Sequence, residues 1–513
     1  MTRLGRGGGS TESAKSSDSQ GRIVDARSSD PLREVLLCGA VFATSLCVYL
    51  LTLSPTVALG DSPELAVAAH RLGIAHPTGY PLYTLLGHLW LNLLPVGDVA
   101  WRMNLLSALF GAGAVALLAA AARRLSGNSS AAFMAAGLLA FSPTFWSQCT
   151  VTEVYSLHVL VLAGLMWLWS GWEESSDPRW LYGLAAGFGL GLTHHVMTIL
   201  LAPAIGLAVL SRWPQWLQRG TLLRLAGCFL GPLLLYSNLE APDQLVVLKN
   251  YVLDLLDNFG VAAVGLALLG AAVARRSPRK SMVLGLAYLT SLAFAVSYGV
   301  VDVEPFFLGA NVLFVIWAAC GAAQLSNWVQ AVRPEMRTVL QAVLCMLPLI
   351  SLATHFADQD RHEDYRHHDH AVAVLSVMPR QGILLTEGPE GYAPVYASLI
   401  EGLRPDVTVV DMYLRIRNDY GEELERVRHI GLPPDWTRDM VVTLEAARLA
   451  GGSRPLRLMP QVPDLDWEKM GLFRLRGGML DKLLRREPDL RVDWPGFDAD
   501  TTAGRLYVGR RKR

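Results

Sequence analysis

The chain has 513 residues and a formal net charge of zero, and no Lys/Arg stripe interleaved with aromatics runs through it, which excludes an electrostatically driven nucleic-acid binder. Hydrophobic residues make up 52% of it and charged residues 18%, with a mean hydropathy of +0.31; these are membrane values and exclude a string of ordinary soluble domains. The six cysteines, Cys38, Cys47, Cys149, Cys228, Cys320 and Cys345, lie in or beside apolar blocks without a CxxC pair, so neither a zinc knuckle nor a disulfide framework is supported.

Residues 1–33 are rich in Gly, Ser, Arg and Asp, lack the apolar core of a signal peptide, and read as a disordered cytoplasmic tail. From there to residue 354 the apolar residues come in blocks, and a bilayer core of ~30 Å needs about 20 helical residues per crossing. On that ruler about eleven spans are predicted, near 34–54, 102–122, 130–147, 155–171, 179–194, 196–211, 221–238, 259–274, 281–299, 305–323 and 338–354. Trp180 to Leu210 as one helix would be ~46 Å long, so it is divided at Thr193-His194-His195.

The loop after the first span, residues 55–101, contains two polar stretches, Gly60-Asp61-Ser62-Pro63-Glu64 and Gly73-Ile74-Ala75-His76-Pro77-Thr78-Gly79-Tyr80-Pro81. Asp61-Ser62-Pro63-Glu64 has the composition of a helix start, and it equally offers a fixed carboxylate able to take a proton from a hydroxyl. The second stretch is either a re-entrant turn between two surface helices, Pro63–Leu72 and Leu82–Leu94, or a phosphate-approach loop in which His76 and Tyr80 donate.

Lys and Arg set the orientation, because cytoplasmic loops retain them. Arg123, Arg124, Arg179, Arg212, Arg219, Arg224, Arg275, Arg276, Arg279, Lys280, Arg333 and Arg337 fall on one side, whereas the opposite loops hold few, chiefly Arg71 and Lys249, with Arg102 at a span edge. The amino terminus is therefore expected inside and the carboxyl region outside. Asp61, Glu64, His76, Glu153, His194, His195, Asp302 and Glu304 then all lie at outer ends or loops, and ionisable groups at membrane depth tend to mark substrate paths. Thr152-Glu153 is just as natural a helix start, His194-His195 has poor metal spacing, and Asp302 can be a solvated loop residue.

Residues 355–513 have soluble composition. The run holding His355, His362, His367, His368 and His370 is interleaved with acids and arginines without fixed ligand spacing, so a solvated juxtamembrane helix is expected rather than a metal site. A βαβ pattern follows: strand 383–386, helix 390–401, strand 407–410, then helical stretches at 421–430 and 437–450 and a final strand at 504–509. The expected fold class is an α-helical polytopic membrane protein, its membrane domain at 34–354, with a small α/β extracytoplasmic domain at 355–513.

Ala58-Leu59-Gly60-Asp61-Ser62-Pro63-Glu64-Leu65 with Leu72-Gly73-Ile74-Ala75-His76-Pro77-Thr78-Gly79-Tyr80-Pro81-Leu82-Tyr83 resembles a known family. It is similar to bacterial relatives of the animal endoplasmic-reticulum transmembrane O-mannosyltransferase, within the GT-C superfamily of lipid-linked-sugar glycosyltransferases. Trp101 to Phe110, Thr152 to Leu157, His194-His195 and Leu403 to Val407 support the match, while Pro63 and Gly388-Pro389-Glu390 depart from the family pattern.

The resemblance implies an inverting transfer of a sugar, mannose in the animal relative, from a polyprenyl phosphate to an extracytoplasmic acceptor, protein Ser/Thr or a glycan. It places the catalytic carboxylate at Asp61. Arg102, His76, Tyr80, His194 and His195 are candidates to stabilise the leaving phosphate, and Glu64, Glu153 and Asp302 to position the substrates. No cofactor is implied, because the lipid-linked sugar is a substrate, and no spacing calls for a divalent metal. The competing readings are a lipid-linked-sugar transporter or flippase, which would favour inverted repeats, and a noncatalytic membrane anchor. Arg outnumbers Lys and the tail lacks cysteine, which points to a bacterial cytoplasmic membrane.

Overall fold

The computed structural model describes residues 31–76, 79–175, 177–211, 244–274, 277–298, 303–411, 455–459, 472–475 and 480–485. The expected span 221–238, the helices at 421–430 and 437–450, and the strand at 504–509 lie outside them.

The chain opens with α1 (Pro31–Leu51), followed by two short helices, α2 (Ser62–Arg71) and α3 (Pro81–Leu93), on either side of the second polar stretch. The long α4 (Val99–Ser126) starts where the Asp98 carboxylate accepts from Trp101 N–H at 2.6 Å and stops at Gly127, whose φ of 70° fits the left-handed cap. Alanines and glycines line its buried side, so α1, α5 and α7 approach closely. At its far end Glu34 of α1 meets Arg123 at 2.8 Å and Arg124 at 3.2 Å, and Arg124 lies between the rings of Trp167 and Trp180.

The single span expected at 130–147 is instead α5 (Ser129–Ala140) and α6 (Pro143–Cys149). Pro143 forces Ser142 out of helical geometry, to φ −70° and ψ 136°, and Pro143 then starts the next helix. Next come α7 (Tyr155–Ser175) and α8 (Pro178–His194), then an extended His195, a 3₁₀ turn (Val196–Leu201) and α9 (Ala202–Leu210), so the division expected at His194-His195 is present.

α10 (Gln244–Ala274) begins well before the expected 259 and is kinked at Gly260, where φ is 73°. It lies against α12 (Leu308–Val332) so closely that a Cβ on Gly270 would run into the Trp317 carbonyl, and one on Gly321 into that of Leu266. α11 (Pro278–Ser297) and α13 (Arg337–Gln359) complete the bundle. Among the described residues, six helices are long and apolar enough to cross a membrane, and Ser129–Ala140 and Val196–Leu210 are shorter apolar ones.

The single juxtamembrane helix expected across His355–His370 is corrected: α13 ends at Gln359 and α14 (Arg366–Ser376) starts afresh. Between them the Asp360 carboxylate accepts from His362 N–H at 3.2 Å, and Arg361 N–H donates to the Thr52 carbonyl beyond α1 at 3.2 Å. These bonds replace the helical ones.

Among the described residues, the carboxyl region has five strands in the order β2-β1-β3-β5-β4. β1 (Ile383–Thr386) is buried between parallel partners β2 (Thr408–Asp411) and β3 (Leu456–Leu458), with α15 (Pro389–Leu399) between β1 and β2 in sequence. β5 (Asp481–Arg485) and β4 (Leu472–Leu475) add antiparallel pairs. This region shares an apolar core with the polar loop's helices: Tyr392 and Tyr396 pack into the cluster that contains Leu65, Tyr83 and Met103. Tyr396 OH accepts from Ala100 N–H at 3.1 Å.

Candidate active site

Asp61 sits at the N-cap position of α2, yet its side chain makes no capping bond. Ser62 Oγ instead accepts from Ala58 N–H at 3.3 Å, closing the preceding turn. Gly60 has a φ of 94°, a conformation that favours glycine, and a Cβ there would lie 3.7 Å from Glu153 Oε1. This turn brings Asp61 to the wall of a cavity of about 1380 Å³ that Glu153, Asp254, Asp257 and Glu304 also line.

Below it Glu64 is buried, and both its oxygens are engaged by His76: Oε1 accepts from the backbone N–H at 2.6 Å and Oε2 faces Nδ1 at 2.8 Å. The other ring nitrogen, Nε2, stands 3.1 Å from Tyr80 OH and 3.6 Å from Asp61 Oδ2. Burial works against a charge on this imidazole, but the Glu64 hydrogen bond and the Asp61 and Glu64 charges outweigh it and raise the pKa above 6.5. The raised pKa favours the charged imidazole, which presents a positive charge beside Asp61.

Tyr80 is held at a φ of 43°, an uncommon conformation for a residue with a side chain, and burial raises its phenol pKa, with the nearby carboxylates adding to the rise. Its ring packs against His76, His195 and His194 at centroid distances of 5.2, 5.6 and 6.3 Å.

The sequence-predicted residues do not form one cluster. Asp61 and Glu153 line the cavity, while Glu64, His76 and Tyr80 form a layer supporting Asp61. His194 and His195 are buried beneath that layer: His194 Nε2 donates to the Val154 carbonyl at 3.0 Å, and His195 Nδ1 accepts from Met197 N–H at 3.2 Å. Arg102 stands apart, donating to the carbonyls of Leu91 and Leu94 at 2.9 Å each and of Asp98 at 3.2 Å, so it joins α3 to α4. Asp302 lies outside the described residues.

Asp61, Glu64 and His76 are also the described residues whose donor atoms converge as metal ligands would, all within 4.8 Å of one another. A cation there would compete with the Glu64–His76 bonds and require a neutral imidazole.

Sequence reading missed two residues. Asn104, fully buried in α4, donates to the carbonyls of Ser54 and Thr56 at 2.9 and 3.0 Å and accepts from Thr152 Oγ1 at 2.6 Å. One carboxamide thereby fixes the loops that carry Asp61 and Glu153, and Thr152 bonds to it rather than capping α7. Its signal was an amide within an otherwise apolar helix. Arg361 lines the cavity, where burial lowers its pKa, an effect that Asp364 opposes and Arg366 reinforces, with Glu153 close enough to act on it as well. Its signal was an arginine inside the acid- and histidine-rich run that follows the last apolar block.

Residues 61–218 match the family model described as the N-terminal domain of protein O-mannosyl-transferase TMEM260. The mouse protein O-mannosyl-transferase TMEM260 is 30% identical over 467 residues, a match covering 78% of this chain and 66% of that protein. The Dictyostelium discoideum protein of the same name is 23% identical over 463 residues, covering 72% and 56%. The chain therefore spans less than two thirds of these relatives' length.

Among solved structures, ArnT from Cupriavidus metallidurans bound to undecaprenyl phosphate superposes with a TM-score of 0.55 at 12% identity, over 88% of this chain and 98% of ArnT. Its apo state gives 0.54 at 13% identity, over 91% and 98%; both are likenesses of fold. With the polar loop matching at its start and the bundle matching in architecture, the chain is a multi-pass membrane relative of the TMEM260 O-mannosyl-transferase family, built on the GT-C fold.

Proposed function

We propose that this protein is an inverting glycosyltransferase that moves a sugar, mannose, from a polyprenyl phosphate to a Ser/Thr hydroxyl of an extracytoplasmic protein. The observation that carries the reading is Asp61, a carboxylate that lines a large cavity, makes no capping bond, and stands 3.6 Å from His76, whose imidazole pKa is raised. The names of the relatives support the sugar and acceptor classes, and the undecaprenyl phosphate bound to ArnT supports a lipid carrier.

Asp61 takes the acceptor proton as the hydroxyl oxygen attacks the anomeric carbon. The bond from that carbon to the phosphate oxygen breaks on the opposite face, and its electron pair leaves with the polyprenyl phosphate. Glu64 and Tyr80 hold His76 in place, and His76 in turn sets its ring nitrogen 3.6 Å from Asp61 Oδ2. In this reading the cavity faces outward across a bacterial cytoplasmic membrane, with residues 355–513 on the same side.

The decisive measurement is transfer of labelled sugar from a polyprenyl-phosphate donor by Asp61→Asn. Loss of a general base should slow transfer by about 100- to 10,000-fold. Near-wild-type transfer at normal protein levels would sink the assignment.

A further inference from the structure

The cavity wall is strongly acidic, with Asp61, Glu153, Asp254, Asp257 and Glu304 all contributing, so an anionic headgroup needs a cation to receive it. The cations closest to the loop are engaged elsewhere: His76 with Glu64, and Arg102 with three carbonyls. Two arginines line the cavity, and they differ. Arg366 is neutralised by a two-pronged bond to Asp364, 2.7 Å at each prong. The side chain of Arg361 makes no ion pair with any described residue, although its backbone is pinned by Thr52 on one side and Asp364 on the other.

We infer that Arg361 is the residue that binds the phosphate of the lipid-linked donor in this cavity, an inference that rests on the glycosyltransferase reading. A guanidinium offers two parallel N–H donors matched to phosphate oxygens. It is also suited to the reaction's direction. The donor's phosphodiester carries one negative charge, and the departing polyprenyl phosphate gains a second as the electron pair arrives. Arg361 therefore holds the leaving group more tightly than the donor, which lowers the barrier rather than merely improving binding. The pinned backbone keeps the side chain at the wall, where the Asp364 and Glu153 charges act on it without closing an ion pair.

The test is binding of undecaprenyl phosphate to the full chain in nanodiscs, with undecaprenol as the uncharged lipid and inorganic phosphate as the free anion. Arg361→Gln should weaken undecaprenyl phosphate binding about tenfold to a hundredfold, the scale of a charged hydrogen-bond pair, and leave undecaprenol binding unchanged. Inorganic phosphate should compete in the wild type and lose that effect in the variant. The exposed Arg380→Gln serves as a charge-matched control and should bind like the wild type.

Unchanged undecaprenyl phosphate affinity in Arg361→Gln, or an equal loss for undecaprenol, would overturn the inference while leaving Asp61→Asn to judge the reaction separately. A wild type that does not prefer the phosphate over undecaprenol would instead overturn the donor assignment itself. Should the glutamine variant not fold, Arg361→Lys carries the test: weaker binding with steeper salt dependence supports the role, and wild-type affinity refutes it.

Discussion

Two carboxylates bracket the imidazole of His76, Glu64 at 2.8 Å and Asp61 at 3.6 Å, and the bracket sets a response to pH. Because the folded-state pKa is raised above 6.5, the interaction's contribution to stability is complete below 6.5 and is lost as pH rises through the folded value. The thermal stability advantage of the wild type over His76→Gln should therefore shrink as pH is taken from about 6 to about 9. A constant difference across that range would show that His76 is not held charged. These residues were legible in the sequence because they lie in one short stretch whose turn formers and acids stand out against apolar neighbours. Asn104 and Arg361 were not, because what gives them meaning is remote: Ser54 and Thr152 for the first, Thr52 and the cavity wall for the second. Arg102 shows the same limit from the other side, since only the coordinates reveal that carbonyls occupy its guanidinium.

Helices α10 and α12 cross with backbone against backbone at Gly270 and Gly321, where any side chain meets a carbonyl oxygen. In lipid there is no hydrophobic force between helices, so close packing of this kind carries the association. Gly270→Ala or Gly321→Ala should lower stability by about 1–3 kcal/mol, read as a drop in melting temperature in detergent. Gly265→Ala, on the same helix with open space around it, should change little and serves as the control. Equal melting of all three would mean that the two helices are not held by this contact. Helix ends written in local chemistry were readable beforehand, as at His194-His195 and in the strand at 383–386. The breaks at Ser142 and Asp360 were harder, the first because apolar composition continues across it, the second because a bond to distant Thr52 competes with the helix.

At the scale of the whole molecule, Arg123 and Arg124 mark one end of α4, and the polar loop lies at the other. If the cavity faces outward, a cysteine at exposed Ser376 should react with a membrane-impermeant maleimide added to intact cells, and one at exposed Arg179 should react only after lysis, both in a cysteine-free background. The reverse pattern would invert the orientation. The carboxyl region is bound into this arrangement, because its Tyr396 packs in the same core as Leu65 and Tyr83. The bond from Arg361 to Thr52 also fixes an order of manufacture. Chains are synthesised from the amino end at about 5–20 residues per second, so α1 and the Asp61 loop exist long before residues 357–367 can close their side of the cavity. A half-made chain carries Asp61 but no chamber around it, and the cavity is completed only when the last membrane helix has been inserted and its exit tied back to the first.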